Sequence, residues 1–332
     1  MAHERRTPLA LFAYNRPQHV QLALESLVRC SRLDEVDIYI YCDGARGPGD
    51  QHSVAALREV VHAWAPRIGA TLVEAPHNQG PDRSIAQGVT SLCEQYGRVI
   101  VIEDDHVVSP DFLDYMLSAL DRYQDDRRVY QVSGFLYPID APRGADAFFL
   151  PLVTSRGWAT WDRAWRAFDW GVPGVQSLFT NRFARYRFDY GARYGWSHML
   201  HQGLKDGDPN WDTVWYWSVF RRAGLTLFPK RSLVWVGGWD GTGVHCGTTA
   251  TPQDPLECFT KPRLSSPIVL PENIVIEREA FTRIKRFAGR EEGYARPVKR
   301  LEALIFDELL MYHPKALALL QPLRRRILSA QP

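Results

Sequence analysis

Glu103, Asp104 and Asp105 stand side by side directly after the apolar run Arg98–Ile102 (RVIVI). Three adjacent acids at the end of a buried strand repel one another and add nothing to packing. A divalent cation makes the arrangement favourable, because Mg²⁺ and Mn²⁺ take hard oxygen ligands and bridge to a diphosphate. Helix capping is the competing account, since a helix begins just downstream at Asp111. The position behind an apolar strand favours the metal.

Other polar residues fall at similar boundaries. Asp212, in Asn210–Trp215 (NWDTVW), stands at the start of a helical run, where the helix dipole keeps a carboxylate ionised and fit to act as a general base. An N-capping aspartate would occupy the same place, and Asp206 and Asp208 are rival bases in the preceding loop. Arg16 follows the apolar run Pro8–Tyr14 and either reaches a phosphate with its planar fork or is a surface arginine beside a turn. Arg83 lies in Asn78–Ser84 (NQGPDRS), a helix start that suits an anion. His245 sits in the glycine-rich stretch Gly237–Gly247, where a neutral imidazole could complete a metal shell, although a lone histidine is more often structural.

These residues require elements to hold them. Strand-like runs at Pro8–Tyr14, Val36–Cys42, Ala70–Val73 and Arg98–Ile102 alternate with helical spacing at His19–Cys30, Ser53–Trp64 and Ser84–Tyr96. That alternation predicts an α/β fold, a Rossmann-like mainly parallel sheet flanked by helices, with ligands at the carboxyl ends of the strands. A further helix is expected over Asp111–Tyr123, capped by Ser109 with Pro110 first, then a strand over Val129–Ser133. A helix over Asp212–Ala223 ends at Gly224, and the tail contains helical stretches at Arg278–Phe287 and Val298–Leu310.

The 332 residues carry a formal charge of +2, which gives no electrostatic footprint for nucleic acid. Five scattered cysteines without zinc spacing predict reduced thiols and a cytoplasmic setting. The polar start running straight into a strand predicts no leader, and no apolar run is long enough to span a bilayer. Of eleven tryptophans, all but Trp64 crowd into the stretch from Trp158 to Trp239, including Trp170 and Trp215. They fill a core or stack on sugar rings.

Strand, Glu-Asp-Asp and Ser109–Tyr115 (SPDFLDY) together resemble the variant DxD motif of inverting GT-A glycosyltransferases, similar to N-acetylglucosaminyltransferase I and bacterial family 2-like transferases. The likeness runs from about Pro8 to Gly247 by motif order. It implies that Asp105 binds Mn²⁺ or Mg²⁺, with Asp104 and Glu103 beside it on the ribose and metal-bound water. Tyr14, Asn15 and Arg16 resemble the segment that meets the nucleotide. Asp43 matches the acid on the uracil edge, which favours UDP, although Asp43-Gly44 also reads as a plain turn. Arg156, Gly157 and Trp158 resemble the segment beside the donor sugar, and Asp212 the catalytic base. His245 would lie near the metal or diphosphate.

The resemblance implies one inverting displacement from a nucleotide sugar onto a saccharide or glycoconjugate hydroxyl, with residues 1–105 as the nucleotide half, 106–250 as the acceptor half and 251–332 as a helical extension. A retaining transferase of the same fold would not need Asp212; a non-catalytic carbohydrate-binding protein would not need the triplet. A sugar-nucleotide pyrophosphorylase is disfavoured, because Ala13–Pro17 (AYNRP) lacks a glycine-rich phosphate loop. The basic stretch Leu323–Leu328 reads as a helix packed on the domain, with contact to the inner membrane face or a lipid-linked acceptor as the alternative.

Overall fold

The computed structural model describes residues 6–238 and 260–291. The first half follows the alternation read from the sequence: β1 (Thr7–Ala13), α1 (Pro17–Leu27), β2 (Val36–Cys42), α2 (Gln51–Ile68), β3 (Thr71–Glu74), α3 (Pro81–Tyr96) and β4 (Arg98–Glu103). Each boundary has a local cause. Pro17 pre-sets the backbone angle at the first turn of α1. Gly69 and Gly97 end α2 and α3 in left-handed conformations, at φ 64° and 82°. All seven residues of β1 are buried, as a continuous apolar strand in the middle of a parallel sheet should be.

The chain continues through β5 (His106–Val108), α4 (Phe112–Arg122), β6 (Val129–Ser133), β7 (Ala147–Leu150) and β8 (Trp158–Trp161). Short helices follow: α5 (Asp162–Trp165), α6 (Val175–Thr180), α7 (Arg182–Phe188), α8 (Trp196–Asp206) and α9 (Trp211–Phe220). Strands β9 (Leu225–Pro229) and β10 (Val234–Val236) and helix α10 (Arg278–Glu291) complete the described elements.

Eight strands form one sheet in the order β3-β2-β1-β4-β8-β6-β9-β7, while β10 and β5 make a separate antiparallel ribbon. The four strands on one side are parallel, as expected. Beyond β4 the sheet is mixed, because β8 runs antiparallel to both β4 and β6. Short strands such as β7 and β8, four residues each, give too little periodicity to be read from sequence.

Two caps differ from expectation. Helix α4 begins at Phe112, and the Ser109 hydroxyl donates to Asp111 Oδ1 at 2.6 Å instead of capping the helix. The other oxygen of Asp111 accepts the N–H groups of Arg263 and Leu264 at 2.9 and 2.8 Å. After α9 it is Ala223, at φ 50°, that turns left-handed rather than Gly224. Gly224 is small for another reason: a Cβ there would stand 2.5 Å from the Tyr130 ring.

The tryptophans mostly fill the core. Trp158 is wholly buried and stacks on Trp211 at 5.3 Å, with Trp165 and Trp215 completing the block. Among the described residues, no helix is long and apolar enough to cross a membrane. Cys30, Cys42 and Cys93 are buried free thiols. The expected helix at Val298–Leu310, the basic stretch at Leu323–Leu328, Trp239, Cys246 and Cys258 lie outside the described residues.

Candidate active site at the sheet switch point

β1 pairs with β2 on one side and β4 on the other, so the strand order reverses between β1 and β4. In open α/β sheets that reversal leaves a crevice at the carboxyl ends of the strands. The residues leaving β1 are Tyr14, Asn15 and Arg16; those leaving β4 are Asp104 and Asp105, after Glu103 pairs with Phe12. The topology therefore brings two separate sequence signals into contact.

The Arg16 guanidinium lies across both carboxylates. Its Nη2 donates to Asp104 Oδ1, its Nε to Asp104 Oδ2 at 3.3 Å, and its Nη1 to Asp105 Oδ2 at 3.2 Å. Burial opposes the Arg16 charge, yet Asp104 and Asp105 together hold its pKa above the usual range. Burial pushes Asp104 up to about 6 despite the pull of Arg16, and Asp105 adds to the rise. Glu103 is held well above the ordinary carboxyl range by burial first, then by Asp105 and Asp104. Asp212 pushes Glu103 in the same direction, so its charge is felt at the triplet.

His106 is a site residue that the sequence reading passed over. Its Nδ1 accepts the Glu103 N–H at 2.9 Å, which leaves the ring proton on Nε2, 3.5 Å from Asp105 Oδ1. Burial holds its pKa down to about 4, so the ring is neutral. The one available signal was its place next to the triplet. His19 also acts on Asp104, as a charge neighbour from the first turn of α1.

The β5–β10 ribbon closes the other side. Gly237 donates its N–H to the Asp105 carbonyl at 2.8 Å. A Cβ on Gly238 would stand 2.3 Å from Asp105 Oδ2, so only glycine fits against that carboxylate.

Asp43 is occupied within the fold. Oδ1 accepts the N–H groups of Gly44 and Gln79, each at 2.8 Å. Oδ2 accepts from Asn78 Nδ2 at 3.0 Å and Gly80 N–H at 2.9 Å. Of its two sequence readings, turn chemistry describes this geometry, and a base edge would compete with four N–H donors. Gly44 permits the approach, since a Cβ there would lie 2.4 Å from the His77 carbonyl carbon. Tyr14 donates its hydroxyl to Asp50 and lies under Arg46, and Asn15 is half-buried beside it.

Asp212 occupies the first turn of α9, as the sequence suggested. Asp82, in the first turn of α3, accepts the Trp211 N–H at 2.6 Å and ties that helix start to the sheet. Arg156 packs over Phe135 at 4.6 Å, and its charge is felt at His106. The Trp158–Val101 pairing sets Gly157 and Arg156 level with the end of β4. Gly157 takes φ 56° and packs against Val234.

Two residues of the sequence reading stand apart from the crevice. Trp158 has no exposed surface and stacks on Trp211, so it is a packing residue and offers no face to a sugar. Arg83 is exposed on α3 and lines a groove that none of Arg16, Asp104 or Asp105 borders. His245 lies outside the described residues.

No group of three metal-ligating side chains occurs among the described residues. Asp105 offers a hard carboxylate at the crevice beside Asp104, with the Cβ-free Gly238 against it. One carboxylate suits Mg²⁺ or Mn²⁺ when substrate phosphates complete the shell, so the residues fit a cation that arrives with a diphosphate.

Neither a family model nor a curated protein matches the chain. Among solved structures it is similar to S. aureus TarS 1–349, at 11% identity over 70% of this chain and 60% of that one, TM-score 0.41. It is also similar to GalNAc-T7 with UDP, GalNAc and Mn²⁺, at 10% identity over 69% and 42% of the two chains, TM-score 0.43. A third is the mannosyltransferase PcManGT from Pyrobaculum calidifontis in complex with GDP-Man and Mn²⁺, at 14% identity over 66% and 70%, TM-score 0.35. The chain thus spans about three fifths of the length of TarS 1–349. These likenesses are remote.

Proposed function

We propose that this chain is a GT-A-type glycosyltransferase that moves a sugar from a nucleoside diphosphate sugar onto an acceptor hydroxyl, with inversion. The observation that carries the reading is the joining of Arg16 to Asp104 and Asp105 at the sheet switch point, within electrostatic reach of Asp212.

Asp105 would hold the Mn²⁺ or Mg²⁺, which when bound neutralises charge on the diphosphate. Arg16 presents a planar fork that suits phosphate oxygens, and a diphosphate entering the crevice draws it from the carboxylates. Asp212, at a helix N-terminus, takes the proton from the acceptor hydroxyl. His106 keeps its Nε2 proton directed at Asp105 and so orients that carboxylate.

The test is a thermal-shift screen of nucleotides and nucleotide sugars with Mn²⁺ and with EDTA. A metal-dependent shift for one nucleotide class, absent in Asp105→Ala, is the expected result. Asp212→Asn should then keep donor binding and lose transfer. No shift with any nucleotide would overturn the donor site, and a fully active Asp212→Asn would overturn the base.

A further inference from the structure

A groove of about 870 Å³ runs between α3 and the loops at 168–170 and 207–209. Its size is that of a small-ligand pocket. On one wall stands Trp170, 41% exposed, in contrast to the buried tryptophans around it. The ring is firmly mounted: it meets Phe168 edge-on at 5.0 Å, and Phe168 stacks on buried Trp165 at 4.5 Å.

The facing wall is polar. Gln87, Ser91 and Glu94 follow one another at helical spacing, so α3 presents them on one side. All three are exposed, and their side chains form no hydrogen bond with another described residue. At the near end lies Asp82, whose carboxylate holds the Trp211 N–H next to Asp212. The groove therefore leads towards the proposed base.

We infer that this groove binds the part of a saccharide acceptor chain that lies away from the reacting hydroxyl. A pyranose ring has apolar C–H faces that stack on an indole and equatorial hydroxyls that donate to carboxylates and amides. Both partners are present on opposite walls. Glu94, Asp169 and Asp208 outnumber Arg83 along the lining, which disfavours a phosphate or other anion and suits an uncharged sugar chain. The identity of the ligand as an acceptor rests on the transferase reading; the groove's affinity for saccharide does not.

Isothermal titration of the full chain with neutral glucose-, mannose-, galactose- and N-acetylglucosamine-based mono- and tetrasaccharides tests this. In at least one series the tetrasaccharide should bind about tenfold tighter than its monosaccharide or better, the scale of one aromatic anchor. W170A and the groove-blocking S91R should each abolish that gain, while UDP or GDP with Mn²⁺ still shifts their melting temperature as in the wild type. Absence of a length gain in every series, or a gain that survives both substitutions, overturns the groove. Nucleotide binding without saccharide binding rejects the groove and leaves the donor site standing. Saccharide binding without nucleotide binding does the reverse.

Discussion

The carboxylate of Asp82, in the first turn of α3, accepts the backbone N–H of Trp211 at 2.6 Å and so fixes the start of α9 against the N-terminal half of the fold. Asp212 is the next residue, and its placement follows from that contact. Asp82→Ala should destabilise the protein by about 1–3 kcal/mol, the cost of losing a charged hydrogen bond to a half-buried N–H. It should lower kcat for transfer more than it raises KM for the donor. Denaturant titration and steady-state kinetics measure the two effects separately.

The Arg16 guanidinium is the positive group shared by two buried acids, Asp104 and Asp105. Arg16→Met should cost about 3–5 kcal/mol, because breaking one partner of a buried ion pair strands the other. Converting Asp104 to Asn in the same chain should recover part of that loss. A double-mutant cycle by chemical denaturation reads the coupling.

Asp43 carries four N–H donors from residues 44 and 78–80. Asp43→Ala should lower the melting temperature sharply, with a loss of about 3 kcal/mol from donors left without an acceptor. Gly44→Ala should be comparably damaging through its clash with the His77 backbone. If Asp43→Ala instead weakened only nucleotide binding and left stability intact, the anchoring role would fail.

Trp158 should behave as core. Trp158→Ala is expected to cost about 3–5 kcal/mol, as large aromatic truncations do. The milder Trp158→Phe should leave nucleotide-induced thermal shifts unchanged.

Asp146 clamps the segment that returns to the sheet edge. It accepts from Lys230 Nζ at 2.5 Å, Val269 N–H at 2.8 Å and the Ser265 hydroxyl at 3.1 Å. Burial alone would raise its pKa, but Lys230 and the N–H groups hold it below the ordinary value of 3.8. The unfolded chain then binds more protons between the two values. This stabilisation is complete above the unfolded pKa and fades as pH falls through the folded one. Melting curves should show the wild type losing stability below about pH 4, while Asp146→Asn is weaker at neutral pH and less sensitive across that acid range.

Many of the elements were readable in the chain itself. VDIYIYC and VYQVS form strands at the bounds their composition suggests, and Asp212 falls in the first turn of a helix. Such features depend on neighbours within a few residues: side-chain period, turn chemistry and helix starts are local physics. The triplet's place at the end of β4 follows in the same way. What neutralises it does not. Arg16 lies 88 residues from Asp104, and their contact exists because β1 and β4 are adjacent in the sheet. Burial of Trp158 and the loop anchored by Asp43 have the same origin. Each depends on the distance between segments remote in sequence, which residue type and spacing do not encode and three-dimensional packing does.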